Sequence, residues 1–230
     1  MYTPFETLNL NRRFVCVIGS GGKTTFLSRL ARHLGGSVIL TTSTHFQAFP
    51  DIPLVLSGTE EQSFGSDSVF CSIRSALRES RILCLGQMTR PGKLAAPTDT
   101  VSFDALLNEA DHVIVEADGS RRLPLKAHRS FEPVIPDCSE LTVLIAGASG
   151  IGKPIGEVCH CPELFAAIAG ASTEEPVRIE HIAKVINHEN LADLVLINQI
   201  DTLTDPQEAV RLCNLILKPA SICSLNAWHA

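Results

Sequence analysis

The chain has 230 residues, of which 45% are hydrophobic and 19% charged, and its net charge is −6. This composition supplies enough apolar material for one large domain and argues against disorder. The negative charge argues against a general nucleic-acid-binding protein, which needs clustered cations to displace counterions. No basic-then-apolar leader is visible, and polar residues interrupt the apolar runs well short of a membrane span. We therefore expect a cytoplasmic protein with neither nucleic acid nor membrane as a partner.

The first predicted strand, Phe14–Ile18, leads into a glycine-rich segment, a Gly-Lys-Thr sequence and an amphipathic stretch from Phe26 to Leu34. This order is typical of a phosphate-binding loop, in which backbone N–H groups and the positive end of a helix face the phosphate. We expect Lys23 to reach the outer phosphates and the Thr24 hydroxyl to ligate Mg²⁺. The predicted nucleotide-binding residues of this segment are Gly19, Ser20, Gly21, Gly22, Lys23, Thr24 and Thr25.

The loop departs from the pattern G-x-x-x-x-G-K-[ST], because Val17 stands where the first glycine belongs. The shorter G-x-x-G-K-T-T form resembles the loop of the Mur ligases, which reads G-T-N-G-K-T. A dinucleotide-binding G-x-G-x-x-G is the rival interpretation. It is disfavoured because Thr24 replaces the third glycine and the next strand ends without a ribose-binding acid. A glycine-rich turn without a ligand is the other alternative.

Further apolar runs and helical patterns alternate along the rest of the chain. The predicted strands are Ser37–Leu40, Arg81–Leu85, His112–Glu116, Leu141–Ala146, Leu194–Ile197 and Ala220–Ser224. The predicted helices are Ser68–Glu79, Phe103–Glu109, Glu163–Ala169, Arg178–His188 and Pro206–Leu217. Such alternation implies an α/β fold, a single domain with a mostly parallel, doubly wound sheet between two helical layers, like a P-loop NTPase. Irregular stretches at 46–67, 87–100 and 123–136 are candidates for lids or substrate loops.

In this fold class, ligands bind beyond the carboxyl ends of the strands. After the second strand come Thr41 and Thr42, followed within three residues by His45. These hydroxyls suit a γ-phosphate, a Mg²⁺-bound water or the substrate, although β-branched residues are also ordinary in a strand. His45 is a candidate catalytic group, with a structural histidine as the alternative.

The fourth predicted strand delivers two carboxylates, Glu116 and Asp118, to its carboxyl end. An acid at this place is the Walker B arrangement, so we assign Glu116 to Mg²⁺. Asp118 is assigned to the metal, the substrate or catalysis, with a simple Asx turn as the alternative. Arg121, Arg122 and Lys126 follow, and they either clamp an anionic substrate or are solvated surface charges.

The sixth predicted strand ends with Asn198-Gln199-Ile200-Asp201. This resembles the guanine-reading N-K-x-D motif of GTPases with glutamine in place of lysine. We therefore place Asn198 and Asp201 near the base, and the missing lysine favours ATP slightly over GTP.

Two other segments invite a functional interpretation. The segment 147–154 has the glycine and lysine spacing of a phosphate loop, but Pro154 occupies the hydroxyl position. We interpret it as a glycine-rich loop that faces substrate.

Most of the eight cysteines lie in apolar runs and are expected to be buried and reduced. Cys159-His160-Cys161 has C-x-C spacing but no second ligand pair nearby, which disfavours zinc.

The motifs together resemble one family. They are G-S-G-G-K-T-T, T-T-S-T-H, P-G-K-L, V-E-A-D-G-S-R-R, P-L-K-A, E-P-V-I-P, P-E-L-F and N-Q-I-D, in this order. The set resembles the YqeC family, described as accessory proteins of selenium-dependent molybdenum hydroxylases. The resemblance implies a P-loop fold in the cytoplasm, and as partners a molybdopterin-type cofactor and a molybdenum hydroxylase client.

Three functions are compatible with these features. The first is an ATP- or GTP-dependent maturation enzyme that uses Mg²⁺ with the nucleotide, and it is the one we favour. The second is a nucleotide-gated chaperone or carrier that delivers the cofactor without transforming it. The third, suggested by the Mur-like loop, is a kinase or ligase acting on a small anionic substrate.

Overall fold

The computed structural model describes residues 10–58 and 66–225. Within them the strands are β1 (Phe14–Gly19), β2 (Val38–Thr42), β3 (His45–Gln47), β4 (Leu54–Leu56), β5 (Ile82–Arg90), β6 (Lys93–Ala95), β7 (His112–Glu116), β8 (Leu125–Lys126), β9 (Leu141–Gly147), β10 (Cys159–His160), β11 (Leu194–Asn198) and β12 (Ala220–Ile222). The α-helices are α1 (Lys23–His33), α2 (Ser66–Glu79), α3 (Phe103–Leu106), α4 (Ile155–Val158), α5 (Pro162–Ala169), α6 (Ile179–Glu189) and α7 (Gln207–Leu215). Short 3-10 helices cover Ala148–Gly150 and Ile200–Thr202.

One large sheet has the strand order β12-β11-β9-β1-β7-β2-β5-β6-β3, and β4 pairs with β5 off this path. The pairs from β12 to β5 are all parallel, whereas β6 runs antiparallel to both of its neighbours. β8 and β10 form a separate parallel pair. The predicted α/β class with a mostly parallel sheet is confirmed.

Alternate residues of β1 pack into two different hydrophobic clusters, which shows that both faces of the sheet are covered. Phe14 and Cys16 belong to the cluster that includes residues of α5, α6 and α7. Val15 and Val17 belong to the cluster that contains the apolar stripe of α1. Successive side chains of a strand point to opposite faces, so a strand buried on both sides must be apolar throughout. This explains the uninterrupted apolar runs in the sequence.

Two predicted elements differ from the structure. The third predicted strand continues to Arg90, and with β6 it forms a hairpin that turns at Gly92, where φ is +74°. Residues 87–100 are therefore not an irregular stretch throughout, because Pro91-Gly92 is a turn between strands. The helix predicted over Phe103–Glu109 ends at Leu106. The next three N–H groups bond to carbonyls three residues back, which tightens the chain into successive turns.

The other two irregular stretches also contain short strands. Residues 46–67 include part of β3 and all of β4, and positions 59–65 lie outside the described residues. Residues 123–136 include β8. No helix in the described part of the chain is both long and apolar enough to cross a bilayer. The parallel order brings the carboxyl ends of β7, β1, β9 and β11 to one edge, where the predicted motifs meet.

Candidate functional site

The segment Gly19–Gly22, called here the phosphate loop after its predicted ligand, forms a tight loop between β1 and α1. Glycine is required at three of its four positions. The φ angles of Gly19, Gly21 and Gly22 are +89°, +83° and +137°. Residues that have a Cβ rarely adopt such values. A Cβ on Gly21 would lie 2.5 Å from the Cα of Gly147, and one on Gly19 would lie 2.3 Å from the carbonyl oxygen of Ile145. The loop is thus packed directly against the end of β9.

Two of the loop N–H groups are engaged and the next four are not. Gly19 donates to Asp118 Oδ2 across 2.8 Å, and Ser20 donates to the Ile145 carbonyl across 2.7 Å. The N–H groups of residues 21–24 donate to no acceptor among the described residues. They stand at the positive end of the eleven-residue helix α1. This arrangement can bind an oxyanion.

Lys23, the first residue of α1, is 4% exposed and directs its ammonium group back under the loop. Its Nζ lies 2.7 Å from Asp118 Oδ1, 2.6 Å from the Gly19 carbonyl oxygen and 3.6 Å from Glu116 Oε1. Side chains two residues apart in an extended chain point the same way, so Glu116 and Asp118 both face Lys23.

Asp118 lies beneath the phosphate loop and is completely buried. Its Oδ2 accepts from Gly19 and from His128 Nε2 at 2.8 Å, and it lies 3.2 Å from Lys126 Nζ. Burial opposes ionisation, but Lys23 and the hydrogen bond from His128 outweigh it and hold the pKa of Asp118 well below its usual range. Asp118 Oδ1 faces Lys23 but makes no hydrogen bond within the described residues, and the assignment of Asp118 to the metal, the substrate or catalysis stays a prediction.

His128 was missed by sequence reasoning. Its Nδ1 lies 2.8 Å from Glu189 Oε2 on α6, and its backbone N–H donates to Glu189 Oε1 across 2.6 Å. Burial lowers the pKa of His128, but hydrogen bonds to Asp118 and then Glu189 raise it above the ordinary value. The local signal was its place two residues after Lys126. No local pattern could have found Glu189, which lies 61 residues further on.

Glu116, the last residue of β7, has one oxygen without a partner. Its Oε2 is buried and makes no hydrogen bond within the described residues. Burial raises the pKa of Glu116 to about 7, while Lys23 opposes this rise. A divalent cation would stabilise the ionised form, and Mg²⁺ needs only one or two protein oxygens because waters and phosphates complete its shell. Glu116 and Thr24 fit such a site, as both line the same cleft.

This cleft has a volume of about 620 Å³. It is lined by Thr24, His45, Phe46, Gln47, Arg90, Lys93, Glu116, Gly119, Ser120, Arg121, Arg122, Arg129, Glu132 and His160. The structure thus brings His45, Arg121 and Arg122, three of the predicted site residues, into the cleft that Thr24 also lines.

Three predicted substrate residues do not line the cleft. The Thr41 hydroxyl donates to the Leu85 carbonyl across 2.9 Å, and the Thr42 hydroxyl donates to the Glu116 carbonyl across 2.6 Å. Both hydroxyls therefore join neighbouring strands, and their contact with a substrate stays a prediction. Lys126 has a buried side chain that pairs with Asp118 and, across 2.7 Å, with Glu132.

Asn198 fastens the phosphate loop to the C-terminal segment. Its Nδ2 donates to the Gly21 carbonyl across 2.8 Å, and its Oδ1 accepts from the Leu225 N–H across 2.9 Å. Asp201 is exposed and accepts a hydrogen bond from the Ser224 hydroxyl. The structure gives Asn198 a role in the loop itself, whereas contact of either residue with a base remains a prediction.

The segment 147–154 begins at Gly147, which packs on the phosphate loop, and Ser149 donates to Gln199 Oε1 across 2.6 Å.

Cys159 is buried in β10, and burial raises the pKa of its thiol to about 12. Among the described residues no group of three or more His, Cys, Asp or Glu side chains is arranged to hold a metal. Cys159 and His160 of the C-x-C segment pair with β8, and Cys161 is the N-cap of α5.

Comparison with known proteins is consistent with these observations. The model of the YqeC protein family matches residues 15–163, more than half of the chain. The chain belongs to the YqeC family. It is 30% identical over 181 residues to a protein described as uncharacterized protein YqeC from Escherichia coli (strain K12), covering 76% of this chain and 67% of that protein. No solved structure matches the chain. The YqeC match includes the phosphate loop, both strand-end acids and His128, whereas Glu189 and Asn198 lie beyond it.

Proposed function

We propose that this YqeC-family protein binds a magnesium–nucleotide, ATP or GTP, and hydrolyses it in the cytoplasm. The observation that carries the proposal is the run of four unpaired backbone N–H groups, residues 21–24, at the head of α1. Such groups favour a phosphate through both hydrogen bonds and the helix dipole. Lys23 would exchange one of its present acceptors for a phosphate oxygen, and Thr24 with Glu116 would hold Mg²⁺.

The wider role that we propose is in the maturation of a selenium-dependent molybdenum hydroxylase or its molybdopterin cofactor. The resemblance to the YqeC family supports this role, and the proposed nucleotide site supports a nucleotide-dependent step. Nucleotide hydrolysis would then drive or time a step of that maturation. The magnesium ion would supply charge neutralisation between the β- and γ-phosphates.

Calorimetry with a non-hydrolysable ATP or GTP analogue tests the nucleotide site. Lys23→Ala removes charge-assisted hydrogen bonds worth about 1.5–3 kcal/mol each, so binding should weaken by at least about tenfold. Glu116→Gln should leave weak binding that no longer responds to Mg²⁺. Lys184→Ala, a change on an exposed face of α6, is the matched control. Wild-type protein that binds neither analogue, or a Lys23→Ala variant that binds as tightly, would refute the proposal.

A further inference from the structure

The cleft beside Thr24 carries a charge opposite to that of the whole chain. The cationic residues that line it are Arg90, Lys93, Arg121, Arg122 and Arg129. Two carboxylates also line it: Glu132 pairs with Lys126, and Glu116 Oε1 lies 3.6 Å from Lys23. Within the described part of the chain, none of the five lining cations lies in an ion pair. The five cations of the cleft therefore outnumber its two carboxylates, and its net charge is positive.

That concentration is unusual for this chain, which has 19 Lys and Arg against 25 Asp and Glu. Like charges gathered around one cavity repel each other, and an anionic ligand relieves that repulsion. The effect is visible at His160, which lines the same cleft. Burial, and then Lys126, Arg121 and Arg129, lower the pKa of its imidazole against the opposing effect of Glu132.

Backbone conformation points to the same place. Arg121 and Arg122 have φ angles of +49° and +63°, so two consecutive residues with long side chains occupy the left-handed region. This conformation is unfavourable for residues other than glycine, asparagine and aspartate. Strained conformations of this kind cluster at ligand-binding sites, where the surrounding structure holds them in place. Here both arginine side chains line the cleft.

We propose that this cleft binds a second ligand, a small molecule with at least two phosphate or carboxylate groups, beside the phosphate loop. Its volume of about 620 Å³ lies within the range of roughly 300–1,000 Å³ found for small-molecule sites. Arg121 and Arg122 offer planar forks suited to oxyanions. The proposal rests on the proposed function for one point only, that the nucleotide occupies the neighbouring loop. It favours a small-molecule substrate or cargo over a purely protein-directed switch.

A fluorescent trisulfonate, 8-methoxypyrene-1,3,6-trisulfonate, is a suitable probe because it has three sulfonate charges and no group that titrates near neutral pH. We expect one probe molecule per chain, with affinity falling by at least about tenfold in Arg121→Gln/Arg122→Gln, since several charge-assisted hydrogen bonds are lost. Arg78→Gln/Arg211→Gln is the control, as it removes two exposed arginines outside the cleft. If the first variant does not fold, Arg90→Gln/Arg129→Gln replaces it. Equal binding by cleft and control variants, or no binding by wild type, would overturn the proposal.

The same titration separates this proposal from that of the nucleotide site. With a saturating magnesium complex of the non-hydrolysable ATP or GTP analogue, the probe should remain bound, because the two ligands occupy neighbouring places. Competitive displacement of the probe would overturn the second site, since the cleft would then belong to the nucleotide. Arginine-dependent probe binding in a protein that binds neither nucleotide analogue would refute the nucleotide proposal and support the anion site.

Discussion

The Asp118 carboxylate accepts the backbone N–H of Gly19 across 2.8 Å, so an acid beyond one strand holds the first residue of the loop that follows another. The same carboxylate pairs with Lys23 and lies within 3.2 Å of Lys126. His128 holds it from the other side. The shape of the phosphate loop and the position of its lysine thus depend on one buried side chain.

Asp118→Asn should destabilise the protein by about 3–5 kcal/mol, because it leaves buried cationic groups without their counter-charge. Urea unfolding followed by circular dichroism measures the effect. Asp99→Asn, at an exposed position, is the control and should change stability by less than about 0.5 kcal/mol. A loss below 1 kcal/mol in Asp118→Asn would show that the network does not support the loop.

His128 should contribute stability that depends on pH in a defined direction. Its pKa is raised in the folded state, so its contribution is complete below the unfolded value of 6.5 and declines as pH rises through the folded value. His128→Gln should remove this decline. Unfolding free energies between pH 6 and 9 test the prediction, which fails if wild type and variant show the same slope.

Glu116 should make the free energy of unfolding depend on pH in a lower range than His128 does. Its pKa rises from 4.5 to about 7 on folding, so the folded state retains the proton more strongly. Stability should therefore fall by up to about 3 kcal/mol as pH increases from 4.5 to 7, and then level off. Glu116→Gln cannot ionise and should lack this part of the pH dependence. Adding Mg²⁺ with nucleotide should offset the fall in wild type only. Parallel pH profiles for the two proteins would contradict the assignment.

Substitutions at the end of β11 separate support of the loop from reading of the base. Asn198→Ala removes the hydrogen bond to the Gly21 carbonyl, and it should weaken ATP and GTP binding equally. Asp201→Asn should weaken GTP alone if Asp201 reads guanine, because an amide presents a donor to the guanine N–H groups. Competition binding of both nucleotides decides this. Unchanged relative affinities in Asp201→Asn would place the base elsewhere.

Arg122→Gly should raise stability while weakening the anion site. Glycine adopts a φ of +63° without the Cβ penalty of about 1–2 kcal/mol, although its unfolded-state entropy offsets part of the gain. We expect a net gain of up to about 1 kcal/mol, together with loss of trisulfonate affinity. Arg122→Ala removes the same side chain but retains the Cβ, and it should lose affinity without the gain. Equal stabilities of the two variants would show that the backbone is not strained there.

The sequence alone determined the fold class and most of the strand positions, because a parallel sheet covered on both faces requires uninterrupted apolar runs. It also determined the loop at Gly19–Gly22 and its neighbouring lysine, since local order and glycine spacing suffice to specify them. The strand-end acids could be found in the same way. The β5–β6 hairpin could not, because the Pro-Gly turn and the loop-like composition of residues 87–100 conceal β6.

Only the tertiary structure decided what the polar side chains do. Thr41 and Thr42 end a strand, where ligand-binding residues are often found, yet their hydroxyls bond to the neighbouring strands. Asp118 and Lys126 belong to a buried network with His128. Glu189, which lies 61 residues after His128 in the chain, completes this network. Which residue faces a cleft and which lies beneath the loop depends on partners that are distant in the chain. Local pattern carries no information about such partners, since burial and pairing arise only when the strands and helices pack together.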